Sequence, residues 1–99
     1  MSRELLHKNI QEILTEIEVL FKDKNDQYAS NDPFHNFRQT AIRHFGRASN
    51  ENMFKSLQIL ADKHLVTLSK EGVGDDAFEE RCKDVVVYYL IAIAMKRME

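Results

Sequence analysis

The hydrophobic pattern of this chain is strongest in its last quarter, where residues 85–95 are all apolar or tyrosine. The run is too short to span a bilayer and charged residues flank it, so it indicates a long buried C-terminal helix. At about 100° per residue it has two apolar faces. One face carries Glu80, Asp84, Val87, Tyr88, Ile91 and Met95, and the other carries Phe78, Cys82, Val85, Val86, Tyr89 and Ile93.

Three further helices are predicted upstream. Apolar residues recur at helical spacing over residues 4–22, which predicts the first helix. A second helix should begin at Asp32, an N-cap residue, and Pro33, at the first helical position, and Gly46 should end it as a C-cap. Ser49 or Asn50 should cap a third helix that runs to about Lys70, with Gly72 beyond it. Asp76 and Glu79 have capping-box spacing at the start of the last helix.

Composition narrows the class of protein. The chain has 99 residues, of which 43% are hydrophobic, with three Gly and one Pro, and this predicts a single all-α domain over residues 1–99, a four-helix bundle. A net charge of −2 with dispersed Lys and Arg gives no basic surface for duplex nucleic acid or a membrane. The single Cys82 excludes a disulfide framework. No signal peptide is recognisable, so we expect a cytoplasmic protein.

Several polar residues fall on the predicted apolar stripes: Lys24, Tyr28, Arg38, His64, Glu80 and Asp84. Each has a simple structural explanation. Lys24 can extend its ammonium to water, and Tyr28 can pack with a solvated hydroxyl. His64, in the middle of the third helix, can be a core histidine with one hydrogen bond, or a ligand or catalytic group.

Together these residues allow two interpretations. A bundle can bring them to one level, where Glu80 and Asp84 would hold Mg²⁺ while Lys24 and Arg38 bind the accompanying phosphates. Alternatively, Lys24 or Arg38 neutralises the two carboxylates in a buried ion-pair network that binds no ligand. The sequence pattern leaves both open.

Four short segments resemble a family of small phage proteins, the nucleotide modification associated domain, type 1, and similar phage proteins. The segments are KNDQY at 24–28, PFHNFR at 33–38, DKHLVTL at 62–68 and EERCKDVVVYYL at 79–90. The resemblance covers most of residues 18–95. It implies a phage-type protein that binds or processes a nucleotide.

The last segment also resembles the final helix of MazG-like all-α NTP pyrophosphohydrolases. Asp84 matches the aspartate of that family's ExxD motif, whereas Arg81 replaces the glutamate and Glu80 is the nearest substitute. The family's second motif, ExxE on an earlier helix, has no counterpart here. The resemblance implies a Mg²⁺-dependent, MazG-like bundle in which Asp84 is the residue that carries over. From the inward polar residues themselves, we expect Lys24, Tyr28 and Arg38 to contact substrate and His64 to act as orienter or base.

Two expectations about function follow. The first is a nucleotide-binding or nucleotide-processing protein with Mg²⁺ at Glu80 and Asp84. The second is a non-catalytic helical interaction protein whose inward charges only pair with one another. The two apolar faces of the last helix also predict an isologous homodimer, because a short second helix leaves one face uncovered.

Overall fold

The computed structural model describes residues 2–27 and 34–98, without the side chains of residues 24–27. Within these residues the chain forms four α-helices and no strand, which confirms the all-α class. The helices are α1 (Arg3–Gln27), α2 (His35–Phe45), α3 (Asn50–Glu71) and α4 (Phe78–Arg97).

The chain divides into two compact units, residues 1–33 and residues 34–99. The first unit contains α1, which extends five residues beyond the predicted end at residue 22. Ser2 caps its N-terminus, because the Leu5 amide donates a hydrogen bond to the Ser2 hydroxyl. The predicted single domain, with α1 as the fourth member of one bundle, stays a prediction.

The second unit is built around α3, which packs against both α2 and α4. Its buried core comprises Phe37, Ala41, Met53, Leu57 and Met95, with Phe34, Leu60, Tyr88, Ile91 and Ala92 packed against it. Ser56 is fully buried on α3, and its hydroxyl donates to the Asn52 carbonyl one turn earlier. Its polar group is therefore satisfied by its own helix.

The predicted boundaries of α2 and α3 are largely confirmed. Gly46 ends α2 in the left-handed conformation, with φ of 84° and its amide bonded to the Ile42 carbonyl. Ser49 caps α3 by accepting a hydrogen bond from the Asn52 amide, and the Gly72 amide bonds to the Leu68 carbonyl at the other end. α2 begins at His35, and the predicted cap at Asp32 and Pro33 lies outside the described residues.

The capping box predicted for α4 is wrong. The helix begins at Phe78 after Ala77, and no side chain caps it. Instead, the preceding turn is closed by the Phe78 amide bonding to the Asp75 carbonyl, and Asp75 forms an ion pair with Arg81. The Asp75–Arg81 pair thus joins the turn to the second turn of the helix.

α4 is buried on one face and partly exposed on the other, so the prediction of a long buried C-terminal helix is not confirmed. Val87 and Met95 are buried, and Tyr88 and Ile91 pack on the core, as the first predicted face requires. On the opposite side the exposed fractions lie between 39% and 53% for four apolar residues, Val86, Tyr89, Leu90 and Ile93. We call these four residues the outer face of α4.

Replacing Ser49 with alanine should lower the free energy of unfolding by about 1 kcal/mol, because the Asn52 amide loses its hydrogen-bond acceptor at the start of α3. Urea denaturation followed by circular dichroism measures the change. Ser69→Ala, at an exposed position within α3, is the matched control and should be neutral or slightly stabilising. Equal effects of the two changes would show that the Ser49 cap contributes nothing.

Candidate functional site

Two of the predicted site residues meet in the described part of the chain. His64 on α3 and Asp84 on α4 approach to 4.0 Å between Nε2 and Oδ2. Their side chains retain 28% and 25% exposure, so the pair lies at the edge of the core, within reach of solvent. The contact is ionic only when His64 is protonated, and even then a pair at this distance and exposure contributes at most about 1 kcal/mol to stability.

Aromatic rings extend this contact to α2. Tyr88 lies one turn after Asp84, and its ring centroid is 5.9 Å from that of His64. On the other side, Tyr88 meets the Phe37 ring edge-on, with centroids 6.1 Å apart and an angle of 74° between the planes. Asp84, His64, Tyr88 and Phe37 thus form a connected group from three helices, which we call the His64 cluster.

Tyr88 also belongs to the His64 cluster, although its spacing predicted only a residue of the apolar face. The signal was present in the sequence, because Tyr88 follows Asp84 by four residues and must lie on the same side of the helix. Its contact with His64 depends on how α3 packs against α4, and the spacing within α4 carries no information on that packing.

Arg38 is half-buried on α2, immediately after Phe37. Its amide bonds to the Phe34 carbonyl, so it belongs to the first turn of the helix. Among the remaining predicted residues, Lys24 lies on α1 with its side chain outside the described part of the chain, and Tyr28 lies wholly outside it. Their predicted substrate contacts stay predictions.

Glu80 and Asp84 lie one turn apart on α4, as predicted, but in different surroundings. Glu80 is exposed, whereas Asp84 is half-buried and faces His64. Within residues 2–27 and 34–98, no group of three or more His, Cys, Asp or Glu side chains is close enough to hold a metal ion. The carboxylates of Glu80 and Asp84 could bind only a cation that keeps most of its water ligands and takes one or two carboxylates from the protein. Mg²⁺ usually binds in this way.

A second feature lies between the start of α3 and the end of α4. An open groove of about 620 Å³ is lined by Asn50, Glu51, Phe54, Tyr89, Ala92, Ile93, Met95, Lys96 and Arg97. The Asn50 side-chain amide donates to the Met95 carbonyl at 3.4 Å and ties the two helix ends together. The floor is apolar and the α4 rim is basic. We call it the α3–α4 groove.

None of the helices in the described part of the chain combines the length and apolar character needed to cross a membrane. Comparison with protein-family models, with curated proteins and with solved structures finds no match to this chain.

Proposed function

We propose that this protein binds a nucleotide at the His64 cluster. The observation that carries the proposal is the meeting of His64 and Asp84, from different helices, at a partly exposed position beside Tyr88. A histidine, a carboxylate and aromatic rings at the edge of a core are groups that orient a small polar ligand. The resemblance to phage nucleotide modification associated domains supports a nucleotide as the ligand class.

The proposed roles follow from the charge of each group. Arg38, with its fork of donors, would bind phosphate oxygens, and Lys24 and Tyr28 would add substrate contacts. Glu80 and Asp84 would hold a hydrated Mg²⁺, which neutralises phosphate charge when it is bound. His64 would orient the ligand, or act as the base if water is the nucleophile.

The resemblance supports three further elements of the proposal. The four helices would form a MazG-like bundle, the protein would be of phage type, and it would work in the cytoplasm. Pyrophosphohydrolysis is the reaction that the MazG resemblance suggests, with Asp84 as the residue that matches the family's motif.

The proposal predicts that deoxynucleoside triphosphates with Mg²⁺ raise the melting temperature of the wild type, because a ligand that binds only the native state stabilises it. At a ligand concentration of 100 times Kd the gain is about 2.7 kcal/mol. Arg38→Ala and Asp84→Asn should each fold and lose most of this response. Arg43→Ala and Asp62→Asn, at exposed positions on α2 and α3, are the matched controls and should keep it.

Two outcomes contradict the proposal. One is a wild type whose melting temperature is unchanged by every nucleotide, with and without Mg²⁺. The other is a response that Arg38→Ala and Asp84→Asn leave intact, which would place the nucleotide elsewhere on the molecule. A response that survives without Mg²⁺ but is lost in Arg38→Ala would keep the nucleotide site and remove the cation from it.

A second candidate function is a non-catalytic helical interaction protein. The observation that favours it is the outer face of α4, where four large apolar side chains remain exposed side by side. In that case His64 and Asp84 are a structural pair, and Asp84→Asn should lower stability by about 1 kcal/mol with no nucleotide response in the wild type.

A further inference from the structure

The outer side of α4 has the spacing of a coiled-coil seam. Six residues lie along one stripe of α4, on the side opposite its buried face, and they alternate in spacing between four and three positions. They are Glu79, Lys83, Val86, Leu90, Ile93 and Arg97. At 100° of rotation per residue, all six residues lie within about 40° of one direction around the helix axis. Val86, Leu90 and Ile93 are exposed apolar members, and exposed charges stand at the two ends. We call this set the α4 stripe.

The stripe is symmetric about residue 88. When a second helix runs in the opposite direction with residue 88 of the two helices aligned, Glu79 comes opposite Arg97, Lys83 opposite Ile93, and Val86 opposite Leu90. Two copies of α4 that meet antiparallel across a two-fold axis would therefore place each residue opposite its exchange partner. Such a self-complementary patch is what an isologous interface requires.

We propose that the α4 stripe is a docking surface for a second copy of this chain, paired antiparallel. Val86 of one copy packs against the partner's Leu90 in the centre of the seam. The aliphatic stem of Lys83 covers the partner's Ile93. At each end, Glu79 faces the partner's Arg97, so the interface contains two equivalent ion pairs.

Charge selects this occupant and this direction. A parallel pair would place Glu79 opposite Glu79 and Arg97 opposite Arg97, which are repulsive at both ends. In the antiparallel pair, the acidic first turn of the partner's α4 lies beside the basic rim of the α3–α4 groove, where Lys96 and Arg97 stand. The groove and the stripe are then covered by the same partner helix.

The proposal is independent of nucleotide binding, because Asp84 and Tyr88 lie on the opposite side of α4 from the stripe. Sedimentation analysis of the full chain should give a mass near twice that of one chain at micromolar concentration. Leu90→Glu should give a monomer with unchanged helix content, since Leu90 is exposed within its own chain. Ile59→Glu, at an exposed apolar position on α3 outside the stripe and the groove, is the control and should stay dimeric.

A charge exchange tests the antiparallel register. Glu79→Lys alone and Arg97→Glu alone should each raise the dimer Kd by about tenfold or more, because like charges then meet at both ends. The double variant restores both ion pairs and should return Kd to within about threefold of the wild type. Each change also opposes the helix dipole, so a purely local effect would make the double variant the worst of the three.

A wild type that stays monomeric at all concentrations would overturn the proposal. So would a dimer that tolerates Leu90→Glu, since another surface would then hold it together. A dimer lost in Leu90→Glu but not rescued by the charge exchange would overturn the antiparallel register. In each case the nucleotide response of the wild type remains a separate measurement.

Discussion

Replacing Leu57 with alanine is expected to lower the free energy of unfolding by about 3 kcal/mol, the largest stability loss predicted for this chain. Leu57 has no exposed surface and lies in the core cluster of the second unit. It stands on α3, the helix that contacts both α2 and α4. Removal of its isobutyl group therefore leaves a cavity at a position where neighbouring helices meet, and close-packed neighbours relax only partly into such a space.

Ile59→Ala is the matched control, because it removes a similar volume from the same helix at a position that is 51% exposed. We expect it to change the free energy of unfolding by no more than about 0.5 kcal/mol. Urea denaturation compares the two variants, with the same slope of unfolding free energy against urea concentration for both. A Leu57→Ala variant no less stable than Ile59→Ala would contradict the packing of α3 described above.

Enlarging Ala41 to leucine should lower stability by about 2–3 kcal/mol, for the opposite reason. Ala41 is completely buried on α2 within the same core cluster. The added atoms have no space, so α2, with only 11 residues, must move away from α3. Arg38 and Phe37 lie on the same helix one turn earlier and would move with it. Any nucleotide response at the His64 cluster should fall together with stability.

Gln39→Leu places the same side chain at an exposed position of α2 and provides the comparison. It should leave both stability and nucleotide response unchanged. If Ala41→Leu were tolerated as well as Gln39→Leu, the α2–α3 interface would have to be looser than the burial of Ala41 indicates.

Local sequence signals predicted the helix ends where one residue type fulfils a local geometric need. Gly46 permits the positive φ that ends α2, and the Ser49 hydroxyl accepts from the first turn of α3. The same reasoning failed at Asp76 and Glu79. There the turn is closed by the bond from the Phe78 amide to the Asp75 carbonyl and by the Asp75–Arg81 pair, so the helix begins after Ala77, one residue later than a cap at Asp76 requires.

The candidate site was predicted at the level of faces rather than contacts. The period of α4 correctly placed Asp84 and Tyr88 on the side that faces the core. It could not identify His64 as a neighbour of Asp84, because that contact depends on the packing of α3 against α4. The second predicted face is exposed at Val86, Tyr89 and Ile93, and the pattern alone does not identify its cover, since an apolar stripe looks the same whether the same chain or another molecule covers it.

The ring contacts of Tyr88 have a consequence for spectroscopy. The chain contains three tyrosines and no tryptophan, and Tyr89 is exposed. Tyr88 lies between Phe37 of α2 and His64 of α3 in a fixed asymmetric environment, which is what generates near-ultraviolet ellipticity. The Tyr88 contribution to that signal therefore reports the docking of three helices, whereas far-ultraviolet ellipticity reports only their helix content. A variant that keeps its far-ultraviolet ellipticity but loses its near-ultraviolet ellipticity has intact helices around a molten core.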